Sequence, residues 1–100
     1  MVSIWIDGQE RDGIDEGWIA RNVEGARRAG KAVCVRIAIK GGGLDLLVTA
    51  GVCPAGGGGR APTAREQQIL ERWSRCGLSG VADLDPGHLI RCLKEIERET

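Results

Sequence analysis

Residues 32–52 read AVCVRIAIKGGGLDLLVTAGV, and this stretch decides the fold. Apolar residues alternate with polar or small ones on both sides of three consecutive glycines, which is typical of two strands that each bury one face. Glycine adopts the positive φ angles of tight turns, so Gly41, Gly42 and Gly43 can reverse the chain. The stretch therefore predicts an antiparallel hairpin of strands 32–40 and 44–52.

Weaker patterns on either side of the hairpin predict one further strand and three helices. Residues 2–6 alternate in character before Asp-Gly, as a strand does before a turn. Thr63 followed by Glu66 matches a capping box, and Asp85 before Pro86 is a second helix start. The predicted elements are a strand over residues 2–6 and helices over 15–29, 64–76 and from residue 86 onward.

The predicted fold class is α+β, in the order β-α-β-β-α-α, with a small three-stranded sheet that contains the antiparallel hairpin and is packed by helices. The run QERD at residues 9–12 has low strand propensity and is predicted to be a loop. If residues 9–14 formed a strand after a tight Asp-Gly turn, the alternative is a ubiquitin-like β-grasp sheet with two added C-terminal helices. Residues 1–100 are predicted to form a single domain, with residues 54–62 as a flexible Gly/Pro connector within it.

The composition argues against several classes of protein. The 14 basic residues are balanced by 14 acidic ones, whereas nucleic-acid binders usually carry a basic excess. The 42% of hydrophobic residues is too high for a disordered chain. No apolar run approaches the ~18 residues of a membrane span, so no membrane partner is predicted.

The four cysteines are predicted to be free, buried thiols of a cytoplasmic protein. The N-terminal residues lack the features of a signal peptide, and thiols of proteins that are not exported are usually reduced. Structural zinc takes closely spaced ligand pairs, but the nearest cysteines, Cys76 and Cys92, are 16 positions apart. No metal and no cofactor are therefore predicted. His88 and Cys92, four positions apart on one helix, would be the first ligands to test for a metal.

A glycine run precedes the helix that Thr63 is predicted to cap. Free backbone N–H groups near a helix N-terminus are a common layout for phosphate sites. A P-loop requires Gly-Lys-Ser/Thr at the end of its loop, but here Arg60 is followed by Ala-Pro-Thr. The run is predicted to be a flexible connector. In the alternative, an anion-binding loop is formed by Gly57, Gly58, Gly59 and Arg60.

The outward face of the predicted sheet carries the candidate binding site. Strand alternation places Trp5, Arg36 and Lys40 opposite the buried apolar face. An aromatic ring beside cations on an open sheet face can anchor a protein or stack nucleic-acid bases. If a C-terminal helix covered this face, Trp5 would instead belong to a second core layer. The predicted partner-binding residues are Trp5, Arg36, Lys40 and Leu47.

The sequence contains one histidine and no recognisable catalytic motif. We therefore favour a non-enzymatic binding or regulatory module that acts through a protein partner or self-association. One alternative is a small-ligand or anion-binding protein with its site at the Gly-rich loop, or a small enzyme or ligand-binding protein whose site is shared between subunits. The other is a nucleic-acid-binding accessory domain that uses Arg21, Arg27, Arg28, Lys31, Arg36 and Lys40.

Overall fold

Four strands and three helices follow one another in the computed structural model, which describes residues 1–54 and 61–99. The strands are β1 (Val2–Ile6), β2 (Gln9–Asp12), β3 (Cys34–Gly41) and β4 (Leu44–Gly51). The helices are α1 (Glu16–Arg28), α2 (Ala64–Arg75) and α3 (Pro86–Glu99). The α+β class is confirmed, and most of the 54–62 connector lies outside the described residues.

The strands form one antiparallel sheet in the order β2-β1-β3-β4. The predicted hairpin is present as β3 and β4, with Ile37 paired with Val48 near its centre. The prediction of three strands was wrong because the expected loop at residues 9–12 forms β2. Since β2 reverses the chain before α1, β3 returns beside β1 in the opposite direction. The second strand after the Asp-Gly turn and the two C-terminal helices are those of the predicted alternative, but the antiparallel order β2-β1-β3-β4 is not its β-grasp sheet.

Strand β2 forms although all four of its residues are polar and exposed. Asp7 and Gly8 have φ angles of 51° and 82°, which are the positive angles that a two-residue hairpin turn requires. At the sheet edge, β2 needs only backbone pairing with β1 on one side. Its charged side chains also discourage pairing with another chain on the other side.

The apolar core lies between the helices and one face of the sheet. Helix α3 contacts both α1 and α2, and α2 also contacts β4. The inward Leu46 is half-buried, while nine other inward side chains of the sheet are no more than 6% exposed: Val2, Ile4, Ile6, Val35, Ile37, Ile39, Leu44, Val48 and Ala50. The helices contribute Trp18, Ile19, Val23, Ile69, Trp73, Leu89, Leu93 and Ile96. The helical layer therefore covers one face of the sheet.

Helix α2 protects the outer edge of β4. The Glu66 side chain, only 1% exposed, accepts a hydrogen bond from the Asp45 N–H at 3.0 Å. Two helical turns later, the Trp73 Nε1–H donates to the Thr49 carbonyl at 2.9 Å. Residues seven apart lie on one face of a helix, so both side chains reach the same strand edge. These contacts provide hydrogen-bond partners for the Asp45 N–H and the Thr49 carbonyl, which would otherwise be free to pair with another strand.

The capping box predicted at Thr63 is confirmed. The Thr63 hydroxyl accepts from the Glu66 N–H at 3.2 Å, and the Glu66 carboxylate accepts from the Thr63 N–H at 2.9 Å. We expect Thr63→Ala to lower the free energy of unfolding by about 0.5–2 kcal/mol, because one N–H of the first turn loses its acceptor. Urea denaturation measures this loss. Thr63→Ser, which keeps the hydroxyl, is the matched control; equal stability of the alanine variant and the native chain would contradict the capping role.

The prediction of four free cysteines was wrong. Cys34 pairs with Cys53 and Cys76 with Cys92, with Cα–Cα distances of 4.8 and 6.5 Å. The hairpin brings the first pair together, and the packing of α2 against α3 brings the second pair together. Disulfides are typical of oxidising compartments, so these two bonds do not support the predicted cytoplasmic location. That location stays a prediction.

No helix within residues 1–54 and 61–99 has both the length and the apolar character that crossing a membrane requires.

Candidate functional site

The face of the sheet opposite the helices is covered by no element of the described chain, and we call it the open face. Its residues range from half-buried to exposed, apart from Gly51 at one end. Leu47 is 56% exposed and adds a large apolar side chain to this face. The outward side chains of the open face are Ser3, Trp5, Glu10, Asp12, Cys34, Arg36, Ala38, Lys40, Asp45, Leu47 and Thr49.

One row of side chains crosses the whole open face, and we call it the central row. Backbone pairing places Glu10 beside Trp5, Trp5 beside Arg36, and Arg36 beside Thr49. Directly opposed residues on neighbouring strands have Cβ atoms about 4.5–5.5 Å apart. From β2 to β4, the central row therefore consists of a carboxylate, an indole ring, a guanidinium and a hydroxyl.

The structure places all four predicted partner-binding residues on the open face, but not all of them side by side. Trp5 and Arg36 are direct cross-strand partners. Leu47 pairs with Ala38 in the next row, and Lys40 lies one row further on. Trp5 is half-buried between its neighbours, and no described helix packs over it. The alternative in which Trp5 forms a second core layer is therefore not what the structure shows.

The charge of Arg36 is available to a partner. Within residues 1–54 and 61–99, its guanidinium takes part in no ion pair and no side-chain hydrogen bond. The cation–π contact found in that part of the chain is instead Arg11 over the Trp18 ring, at 5.6 Å from its centroid. Arg36 and Trp5 are thus neighbours that do not stack on each other.

Two links hold the open face in shape. The Ser3 hydroxyl donates to the Asp12 carboxylate at 3.0 Å and ties β2 to β1 on this side of the sheet. At the other end, the Cys34–Cys53 disulfide ties the start of β3 to the segment that follows β4. A surface that is held rigid before binding loses less conformational entropy when it binds.

The residues proposed for nucleic-acid binding do not form one surface. Arg36 and Lys40 lie on the open face, whereas Arg21, Arg27 and Arg28 belong to α1 on the helical side. Arg27 is also engaged within the chain, because its Nε–H donates to Asp83 at 2.7 Å. This hydrogen bond raises the pKa of Arg27 above its ordinary value.

Two other candidate sites from the sequence are the anion-binding loop and the possible metal ligands His88 and Cys92. The predicted anion loop at Gly57, Gly58, Gly59 and Arg60 lies outside the described residues, so it stays a prediction. Cys92 is joined to Cys76, and the His88 ring contacts the Cys76 carbonyl. In the described part of the chain, no three His, Cys, Asp or Glu side chains are placed to hold a metal ion together.

The concave regions of the described residues include two that the sequence did not indicate. A groove of about 430 Å³ between β4 and α2 opens beside Leu47 and is lined in part by Leu70 and Trp73. A cleft of about 420 Å³ between α2 and α3 is rich in arginine. Both depend on how α2 packs against other elements, and local sequence patterns do not carry that information.

No family model matches this chain, and comparison with curated proteins and with solved structures finds no similar protein. Its function must therefore be inferred from the arrangement of its own residues.

Proposed function

We propose that this protein is a non-enzymatic binding module that acts through self-association, with two copies docked through their open faces. The observation that supports this most directly is the central row, in which an indole ring stands beside a guanidinium that has no counterion, on a sheet face that no element of residues 1–54 and 61–99 covers. Uncovered aromatic and arginine side chains are the types most enriched at the energetic centres of protein interfaces.

The order of groups in the central row suits a two-fold axis that runs parallel to the strands. In an isologous interface, both copies use the same patch. Rotation about an axis parallel to the strands exchanges the two edges of the sheet, so the second copy presents its strands in the reverse order. Trp5 of each copy then faces Arg36 of the other. Each of the two cation–π contacts is worth about 0.5–2 kcal/mol, depending on how far water is excluded.

The same row disfavours the other orientation. A two-fold axis perpendicular to the strands in the plane between the sheets would place β3 over β3 and β2 over β2. Arg36 would then meet Arg36, and Glu10 would meet Glu10. Like charges placed opposite each other destabilise an interface, so the pattern of charges favours one orientation.

The adjoining row permits close approach of the two sheets. Ser3 pairs with Ala38 within each sheet, and the proposed axis also brings these two small residues opposite each other between copies. Packed sheets lie about 10 Å apart, and small side chains leave room for Trp5 at that distance.

The size of the open face predicts a weak dimer. With four strands about 4.8 Å apart and a rise of about 3.3 Å per residue, the face covers roughly 400 Å². A standard interface buries about 800 Å² per partner. We therefore expect dissociation in the micromolar to millimolar range, with rapid exchange between monomer and dimer.

Sedimentation velocity over that concentration range tests the proposal. The average mass of the native chain is expected to rise toward that of a dimer as its concentration increases. Trp5→Ala combined with Arg36→Glu is expected to remain a folded monomer, because it removes both members of each cross-copy contact. Circular dichroism establishes that the variant is folded.

Arg28→Glu is the matched control, since it makes the same charge change at an exposed position on α1. It should dimerise as the native chain does. The single variant Arg36→Glu leaves Trp5 in place and should still weaken dimerisation. A native chain that stays monomeric, a double variant that still dimerises, or a double variant that unfolds would each contradict the proposal.

A further inference from the structure

The arginine-rich cleft lies on the helical side of the molecule, away from the open face, and we call it the basic cleft. Helix α2 contributes Arg72 and Arg75, and α3 contributes His88 and Arg91. Glu95 is the only acidic residue that lines it within the described part of the chain. The chain as a whole carries equal numbers of acidic and basic residues. The cleft is therefore a local concentration of positive charge and does not reflect a general basic excess.

Two of these charges have no counterion among the residues that the structure describes. Arg72 is paired, because its Nη1 lies 2.5 Å from the Glu99 carboxylate. Arg75 and Arg91, by contrast, take part in no ion pair or side-chain hydrogen bond within residues 1–54 and 61–99. The cleft therefore presents two unneutralised guanidinium groups from two different helices.

Favourable interaction with a helix dipole accounts for the basic residues that α2 contributes to the basic cleft, but not for those of α3. Arg72 and Arg75 lie in the last turn of α2, where basic residues complement the negative end of the helix dipole. His88 and Arg91 are the third and sixth residues of α3. Cations near a helix N-terminus gain nothing from the dipole, whose positive end lies there. The α3 residues thus call for another explanation.

The base of the basic cleft is held rigid. The Cys76–Cys92 disulfide joins the end of α2 to α3 and lines the cleft. The His88 Nε2 lies 2.8 Å from the Cys76 carbonyl oxygen. Because a carbonyl only accepts, this nitrogen donates, and the bond fixes the orientation of the ring. The basic side chains are therefore carried by two helices whose relative position is fixed.

We infer that the basic cleft binds a small anion that carries phosphoryl groups. Guanidinium groups match phosphate oxygens in planar, bidentate hydrogen bonds, which distinguishes arginine from lysine at such sites. Its volume of about 420 Å³ falls within the ~300–1,000 Å³ range of small-molecule sites. This inference rests on residues outside the open face and does not depend on self-association.

Isothermal titration calorimetry with inorganic pyrophosphate, at fixed pH and ionic strength, tests the inference. We expect saturable binding to the oxidised native chain. Arg75→Gln and Arg91→Gln should each weaken it by about tenfold, since each removes a charge-assisted hydrogen-bond donor. Both residues are exposed, so neither change should affect folding. The control is Arg28→Gln, which removes one positive charge from an exposed helical position elsewhere.

Three results would overturn the inference. The first is the absence of saturable pyrophosphate binding to the native chain. The second is unchanged affinity in a variant that combines Arg75→Gln and Arg91→Gln. The third is an equal loss of affinity in the Arg28→Gln control, which would show attraction to net charge without a site. If the native chain bound a nucleic-acid oligomer but not pyrophosphate, the inference would likewise be overturned.

Discussion

Reduction of both disulfides with dithiothreitol is expected to lower the free energy of unfolding by about 6 kcal/mol. The cysteines of the two pairs are separated by 19 and 16 positions, and a crosslink that closes a loop of that length contributes about 3 kcal/mol. A domain of this size has a total stability of about 5–15 kcal/mol. The reduced chain should therefore melt far below the oxidised one. Thermal and urea unfolding at one fixed protein concentration measure the difference.

The two crosslinks can be removed separately. The loops they close do not overlap in sequence, so the losses from Cys34→Ser with Cys53→Ser and from Cys76→Ser with Cys92→Ser should add. Thiol titration of the native chain in denaturant should find no reactive cysteine. Four reactive thiols, together with unchanged stability after reduction, would contradict both disulfides.

Gly51→Ala is expected to lower the free energy of unfolding by about 2–5 kcal/mol. Gly51 has a φ angle of +74°, where an L-residue costs roughly 1–2 kcal/mol. An added Cβ would also overlap the Val33 carbonyl oxygen, which already accepts a hydrogen bond from the Val52 N–H. Relief of that overlap requires a backbone shift of the kind that costs about 1–3 kcal/mol in packed interiors. Urea unfolding measures the total.

Gly80→Ala separates the two contributions to the Gly51 effect. Gly80 has a φ angle of +77°, but a Cβ there would meet no atom within 4 Å. It should therefore show the conformational cost alone. Equal losses in the two variants would mean that Gly51 does not lie against the Val33 carbonyl, and the end of β4 would have to be placed differently.

The elements that could be predicted from the sequence are those fixed by local signals. The alternation around Ile37 and Val48 and the intervening glycines specify a hairpin without reference to the rest of the chain. The capping box at Thr63 and Glu66 likewise marks the start of α2 to the residue. These signals succeed because the groups that satisfy one another are close in sequence.

Strand β2 could not be predicted from its own residues. QERD has low strand propensity, and what makes it a strand is pairing with β1. The only local signal was the Asp7-Gly8 turn, whose positive φ angles suit a two-residue hairpin. At an exposed edge, turn geometry outweighed the propensity of the strand that followed.

The two candidate surfaces also differ in how far the sequence predicts them. Alternation alone predicts that Trp5 and Arg36 share a face, because side chains in strands point to alternate sides. Their direct adjacency depends on the register between β1 and β3, which the sequence did not define. The basic cleft and both disulfides depend on contacts between elements distant in sequence. Local sequence patterns do not predict such contacts.

The central claim is that two copies dock through their open faces with Trp5 of one over Arg36 of the other. Isotope-filtered nuclear Overhauser spectroscopy on a mixture of labelled and unlabelled chains tests it most directly, because only contacts between copies are detected. We predict cross-copy signals between the Trp5 indole protons and the Arg36 side chain at concentrations where the dimer forms. Cross-copy signals confined to the helical side, or none at millimolar concentration, would contradict the claim.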